Sequence, residues 1–198
     1  MTSRMLTWQA PDGHGFEGVR FHAGAGASFR ALGRIVRAEP GGEWTASYRL
    51  VVGEDGAVER VSITSASADR EHYLTLNRTE DGYWLLDTGS GGRRTDFGGA
   101  VDVDLATSAI FTAIPIRRLG LQREHGEHTL PVVVVSLPDL DASLVEQHYR
   151  AVSPGEQAVV ELGWDADAAQ LRVDADGLVI DHPGVAHRYA APAAATAG

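Results

Sequence analysis

Alternation of apolar and polar residues is the dominant pattern along this chain. It recurs in short runs rich in β-branched and aromatic residues, and a period of two predicts strands that bury one face. Asp-Gly pairs at 12–13, 55–56, 81–82 and 176–177 separate several of these runs and indicate tight hairpin turns. We predict strands near residues 5–9, 17–22, 28–37, 43–52, 57–66, 70–78, 83–87, 99–105, 114–121, 128–137, 157–164, 169–174 and 177–182.

One stretch departs from this pattern and predicts a short helix near residues 141–151. Asp141 can cap its first turn, and the Ser-Pro-Gly run at 153–155 can end it. Its apolar face would carry Leu144, Val145, His148 and Tyr149. Strands joined by tight turns, with a single short helix, predict a mostly β, antiparallel fold in which the helix plugs or flanks the sheet.

Charged residues interrupt the pattern between Gly98 and Leu121. Asp102 and Asp104 alternate with apolar residues, so on a strand both carboxylates would share one face. Arg117 and Arg118 would point to opposite faces of the predicted strand 114–121, and both faces of that strand are largely apolar. An arginine in such a place needs a partner, because burying an unpaired charge is costly. Either the acids and arginines form a structural cluster between strands, or an arginine is left to bind an anionic or sugar headgroup.

The same segment carries a resemblance to a known family. The runs DVDL at 102–105 and IPIRRLGL at 114–121 resemble the centre of the bacterial putative glycolipid-binding family. LPDL at 137–140, EQHYR at 146–150 and the segment 173–184 resemble its later motifs, and the similarity extends from about Trp8 to Arg188. Two departures are Thr112-Ala113, where the family usually has Thr-Asn, and Ala100, where it often has cysteine.

The resemblance implies a spiral β-roll, a long and curved antiparallel sheet around an apolar interior. It also implies that the interior holds a glycolipid or similar amphiphile, whose chain would gain about 0.8 kcal/mol per buried methylene. The ligand-binding residues that follow from this resemblance are Asp102, Asp104, Arg117, Arg118, Tyr48, Arg49 and Trp84.

Composition and charge narrow the remaining classes. The 198 residues suit one domain, for which we predict the bounds 1–189, followed by a disordered Ala-rich tail at 190–198. A net charge of −10 argues against a nucleic-acid partner and against binding to anionic membrane surfaces. The chain has no cysteine, and it has no apolar run long enough to insert into a membrane, so we expect a cytoplasmic protein.

Two other functions compete with amphiphile binding. One is an interaction module with a filled core, which forms a homodimer through a sheet edge. The other is a glycoside hydrolase that uses Asp102 and Asp104, because their spacing permits a carboxylate pair across a sugar. The sequence shows no convincing catalytic constellation, and the histidines at 125 and 128 lie in a polar turn, so we expect neither an enzyme nor a metal or other cofactor.

Overall fold

The computed structural model describes residues 3–164 and 167–189. Within these residues, fifteen strands form one sheet that carries a single α-helix. The strands are β1 (Ser3–Gln9), β2 (Gly15–Ala23), β3 (Phe29–Glu39), β4 (Gly42–Val52), β5 (Val58–Ser67), β6 (Glu71–Arg78), β7 (Trp84–Asp87), β8 (Gly92–Thr95), β9 (Asp102–Leu105), β10 (Glu127–Val135), β11 (Ala142–Ser153), β12 (Gln157–Trp164), β13 (Asp167–Asp174), β14 (Val179–His182) and β15 (Ala186–Arg188). The helix α1 spans Ala109–Leu119, and a short 3-10 turn spans Phe97–Gly99.

The sheet is curved and unclosed, with the strand order β8-β7-β6-β5-β4-β3-β2-β1-β15-β14-β13-β12-β11-β10-β9. All neighbours are antiparallel except β9 and β10. The two halves of the chain meet where β1 pairs with β15, so the free edges are β8 and β9. The segment before β9 crosses back toward the first half, where Val58 donates its N–H to the Val101 carbonyl at 2.9 Å. The predicted mostly β, curved antiparallel sheet is confirmed.

The four Asp-Gly turns lie where the sequence predicts them. They join β1 to β2, β4 to β5, β6 to β7 and β13 to β14. The glycine of each pair has a positive φ, for example 80° at Gly56 and 76° at Gly177, which a residue with a side chain adopts only with strain. Each of these turns joins two consecutive strands that pair antiparallel.

The position of the helix corrects two predictions. The predicted helix near 141–151 is wrong, because residues 142–153 form β11, which pairs with β10 on one side and β12 on the other. The predicted strand at 114–121 is also wrong, because most of it belongs to α1. The predicted tail at 190–198 lies outside the described residues.

Helix α1 fills the space that the sheet curls around. Its residues from Ala109 to Ile116 are all buried, so the segment has no exposed stripe to reveal a helical period. The helix ends at Gly120, which adopts a left-handed conformation with φ 69° while the Leu121 N–H bonds to the Ile116 carbonyl. Strand residues pack around it from the inner face of the sheet, including Phe21, Phe29, Tyr48 and Leu105. No described helix is long and apolar enough to cross a membrane.

Candidate functional site

Asp102 and Arg118 form a buried ion pair that ties α1 to β9. The Arg118 Nε donates to Oδ1 at 3.2 Å, and its terminal nitrogen donates to Oδ2 at 2.5 Å. Asp102 has no exposed surface. Burial raises the pKa of Asp102, and the bonds and charge of Arg118 oppose that rise. Because Arg118 occupies both carboxylate oxygens, this pair fits the structural role of the predicted acid–arginine cluster.

Asp104, two residues along β9, has a different partner. The Gln147 amide donates to its Oδ2 at 3.1 Å, and the Tyr149 hydroxyl donates to the Gln147 oxygen at 2.8 Å. Burial raises the pKa of Asp104 and, together with the charges of both aspartates, that of Tyr149. A glycosidase needs two carboxyl groups that reach one sugar. Asp102 is enclosed and held by Arg118, so the geometry does not favour the hydrolase hypothesis.

Arg117 packs at the end of α1 against aromatic rings. Its guanidinium carbon lies 5.5 Å from the ring centre of Phe21 and 5.3 Å from that of Phe29, and its terminal nitrogen donates to the Asp176 carbonyl. Burial lowers the pKa of Arg117. Trp84 is fully buried, unlike the half-buried Arg117, and its indole N–H donates to the Ala100 carbonyl at 2.8 Å. Both side chains hold core segments in place.

Glu17 is a buried site that sequence reasoning missed. Its carboxylate accepts hydrogen bonds from the Tyr48 hydroxyl at 2.5 Å, from the Ser108 hydroxyl, and from the Ala109 N–H at 2.8 Å. A negative group at the first turn of α1 complements the helix dipole. Burial raises the pKa of Glu17, and burial together with the Glu17 charge raises that of Tyr48. The available signal was its position: Glu17 lies on the same face of β2 as Val19, which is inward.

The structure therefore does not gather the seven predicted residues in one place. Asp102 and Arg118 meet, whereas Asp104, Arg117 and Trp84 each contact other partners in the core. Tyr48 packs its ring against Phe111 of the helix at 5.1 Å. Arg49, the next residue along β4, points to the other face of the sheet and is exposed. The interior expected to hold a ligand is occupied by α1.

Two concave spaces lie on the outer face of the sheet, which is the face of β1–β6 opposite the core. One has a volume of about 820 Å³ and is called here the arginine concavity. Most of its lining comes from exposed or half-buried side chains of the six neighbouring strands β1 to β6. Those lining residues are Met5, Gly18, Arg20, Leu32, Gly33, Arg34, Ser47, Tyr48, Arg49, Ser62, Thr64 and Tyr73.

Strand register places the three arginines of this concavity around one leucine. Arg20 on β2 and Arg49 on β4 both lie directly opposite Leu32 on β3, and Arg34 lies two residues from Leu32 on the same strand. Hydroxyl groups border them, since Arg49 lies opposite Ser62 on β5. The residues lining this concavity include no acid, and none of the three arginines has a carboxylate partner among the described residues.

A second concavity, of about 690 Å³, adjoins the first and is called here the apolar concavity. Its outer-face residues on the strands are Phe16, Val36, Ala38, Glu43, Thr45 and Ala66, of which Phe16, Val36, Thr45 and Ala66 face the first concavity. Each of these four lies two residues along its strand from a residue of the arginine concavity, so the two spaces are about 7 Å apart along the strands. Phe16 is 45% exposed and Val36 is 55% exposed. Large apolar side chains exposed together on one face often mark a binding surface.

Two solved structures are similar to this chain in fold. The crystal structure of a DUF1089 family protein from Pseudomonas aeruginosa is similar, with a TM-score of 0.74 and 24% identity over 92% of this chain and 95% of that one. A beta-barrel-like protein of domain of unknown function DUF1849 from Brucella abortus has a TM-score of 0.50 and 11% identity over 92% of this chain and 90% of that one.

These two likenesses establish the fold alone, and no curated protein matches the chain. The profile of the family described as "Putative glycolipid-binding" matches residues 5–188. That match covers nearly the whole chain and includes the DVDL and IPIRRLGL runs. The chain therefore belongs to the putative glycolipid-binding family.

Proposed function

We propose that the protein binds a glycolipid-like amphiphile on the outer face of β2–β6. The observation that carries this proposal is the pair of adjoining concavities, one apolar and one rich in hydroxyl and guanidinium groups. An amphiphile has the same division between chain and head. Family membership supports the glycolipid class of ligand.

The apolar concavity suits an acyl chain. Aliphatic and aromatic surface is offered by Phe16 on β2, Val36 on β3 and Ala66 on β5, and β4 lies between the last two strands. About eight methylenes removed from water would contribute roughly 6 kcal/mol before the costs of immobilisation. Contacts to the head must supply the free energy that exceeds those costs.

The arginine concavity suits a sugar-bearing head. Ser47, Ser62 and Thr64 place hydroxyl groups on two neighbouring strands, and Tyr73 adds a half-exposed phenol opposite Thr64. Hydroxyls donate and accept, whereas guanidinium groups donate only, so together they match the polyol groups of a sugar. Arg49, a residue of the family resemblance, extends its side chain on this face, whereas the Tyr48 side chain points to the core.

The interior is a less favourable location for the ligand. An acyl chain there would have to displace α1, which packs into the core along eight successive buried residues from Ala109 to Ile116. Displacement would also break the helix anchors at Glu17 and Asp102. Leaving such buried charges without partners costs several kcal/mol each.

The test is a titration with a fluorescent long-chain glucosyl lipid kept below its micelle concentration. Val36→Asp places a charge in the apolar concavity at an exposed position, so we expect affinity to fall at least tenfold, about 1.4 kcal/mol, while the fold is kept. Leu85→Asp is the matched control, because Leu85 is 44% exposed on β7, outside both concavities. Unchanged affinity in Val36→Asp, or no binding by the wild type, would contradict the proposal.

The homodimer and the cytoplasmic location stay predictions. The free edges β8 and β9 have four residues each, and β9 is mostly buried, so β8 is the edge left for pairing with another chain. Light scattering during size-exclusion chromatography tests the dimer, and cell fractionation tests the location.

A further inference from the structure

We infer that the ligand head bound in the arginine concavity carries a negative charge, as a phosphate, sulfate or carboxylate. This inference rests on the proposed function, because it assigns the chemical class of the head that the same site takes. It is carried by the arrangement and the isolation of three guanidinium groups on an acidic protein.

The strand register places the three arginines around Leu32 on the outer face of the sheet. Arg20 and Arg49 flank Leu32 from the two neighbouring strands, which puts their backbones about 10 Å apart. Arg34 lies two residues along from Leu32, about 7 Å away. Flexible arginine side chains on three sides of Leu32 can converge on one anion beside it.

The three arginines are also separated from acidic side chains. Elsewhere on the surface, Arg94 lies 2.6 Å from Asp81, and Arg150 lies 2.8 Å from Glu161. The three arginines of the concavity have no such partner among the described residues, and no acid lines the space. Like charges held together repel, and an anion relieves that repulsion. The net charge of −10 describes the whole chain and conceals this local excess of positive charge.

The chemistry of arginine narrows the ligand further. A guanidinium group presents a planar fork of donors that matches the paired oxygens of phosphate, sulfate or carboxylate. The bordering hydroxyls of Ser62 and Thr64 can donate to remaining oxygens of the same group. A neutral sugar would use the hydroxyls but would leave the three positive charges uncompensated.

A third concavity provides an internal contrast. It has a volume of about 460 Å³ on β10–β13, and its lining includes Glu146 and Asp167 but no arginine. An anionic head would be repelled there, so anion binding should be confined to the first half of the sheet.

The experiment compares two amphiphiles that share one acyl chain, a neutral glucosyl lipid and a lipid with a phosphate-bearing head, each titrated into the full chain. We expect the wild type to bind the anionic lipid at least tenfold more tightly, with a preference that shrinks as salt rises from about 20 to about 300 mM. The double variant Arg34→Gln with Arg49→Gln should lose this preference, because its affinity for the anionic lipid should fall much further than its affinity for the neutral lipid. Arg123→Gln, which changes an exposed arginine outside both concavities, should behave like the wild type.

The outcomes separate this inference from the proposed function. Equal affinity for both lipids, or an anionic preference that survives the double variant, would overturn the inference and leave amphiphile binding intact. Binding of neither lipid would overturn both. Inorganic phosphate forms the third arm: if it binds as tightly as the anionic lipid and needs the same arginines, the anion site is supported and the lipid is contradicted. Circular dichroism of the double variant confirms that the fold is kept.

Discussion

The interior of the roll and its outer face use the same residue type in opposite ways. Inside, Arg118 is held by both oxygens of Asp102, and Arg117 is packed against two aromatic rings. Outside, Arg34 and Arg49 project from the sheet with no described carboxylate partner. The charge of Arg118 is already paired within the fold, whereas, among the described residues, Arg117 keeps a buried Nε without a hydrogen-bond partner and the outer arginines have no carboxylate partner.

This difference shows where to look for a ligand. A buried charge with a complete set of partners stabilises one arrangement of the chain, and a ligand would have to compete with those partners. An exposed cluster of one sign has no such competition and gains when an opposite charge arrives. The DVDL and IPIRRLGL runs lie mainly in the interior, while the surface suited to a ligand lies on β1–β6, outside these two runs.

The largest effect is expected from Glu17→Ala. This change leaves the Tyr48 hydroxyl, the Ser108 hydroxyl and the Ala109 N–H without their buried acceptor. At about 1–3 kcal/mol for each unsatisfied group, the free energy of unfolding should fall by about 5 kcal/mol. Urea denaturation measures it, with Glu71→Ala at an exposed position as the control. A loss below about 1 kcal/mol would show that the carboxylate does not anchor α1.

Asp102→Ala should cost nearly as much, about 3–5 kcal/mol, because it leaves the Arg118 guanidinium largely buried without its partner. The paired replacement Asp102→Leu with Arg118→Leu should recover most of this loss, since apolar residues can substitute for a buried ion pair. Arg172→Ala, which removes an exposed pair with Asp181, should cost less than about 1 kcal/mol. Equal losses at the two pairs would contradict the distinction between interior and surface charges.

The buried His182 should make the free energy of unfolding depend on pH. Its ring is buried, neither ring nitrogen has a hydrogen-bond partner in the described residues, and burial lowers its pKa from 6.5 to about 4. The unfolded chain therefore takes up the proton first, and stability present above pH 6.5 is lost as pH falls toward 4. The loss amounts to about 3 kcal/mol at 1.36 kcal/mol per pKa unit.

The matched variant for this prediction is His182→Leu, whose unfolding should lack that component. Asp181 beside the ring opposes the shift slightly. The buried carboxylates Glu17, Asp102 and Asp104 have raised pKa values and act with the opposite sign, so they favour the folded state at low pH. Because both proteins share these carboxylates, the difference between their unfolding curves across pH 4–7 isolates the histidine. Parallel curves would rule out a buried neutral His182.

The smallest stability effect is expected on the outer face. Arg34→Gln removes one of three like charges at an exposed position, so the free energy of unfolding should change by less than about 0.5 kcal/mol. Any change should be a gain, because repulsion with Arg20 and Arg49 is reduced. Thermal unfolding at low salt measures it. A loss above about 1 kcal/mol would mean that Arg34 is a structural residue.

Sequence reasoning identified the strands and turns well because their signals are local. The Asp-Gly pairs and the alternation on β2–β5 depend only on neighbouring residues. The helix was misplaced because its determinants are distant: its first N–H is bound by Glu17, 92 positions earlier in the chain. Ile114 and Ile116 favour a strand by local preference, Pro115 disfavours a helix interior, and complete burial hides the helical period.

The candidate site was predicted only in part for a similar reason. The opposite charges of Asp102 and Arg118 indicated that these two groups could meet, as they do in the structure. A sequence does not say whether such a buried pair serves packing or binding. The arginine concavity draws its residues from β1 to β6, and Arg20, Arg34 and Arg49 become neighbours only through strand register. The alternation of apolar and polar residues does not specify which residues of neighbouring strands lie opposite each other across several hairpins.

A crystal structure with an anionic long-chain amphiphile tests the central claim most directly. We expect a head within hydrogen-bond distance of Arg20, Arg34 or Arg49 and a chain that runs toward Val36 and Phe16, with α1 in place. A chain lying inside the roll, with α1 displaced and the Asp102–Arg118 pair open to the ligand head, would contradict it.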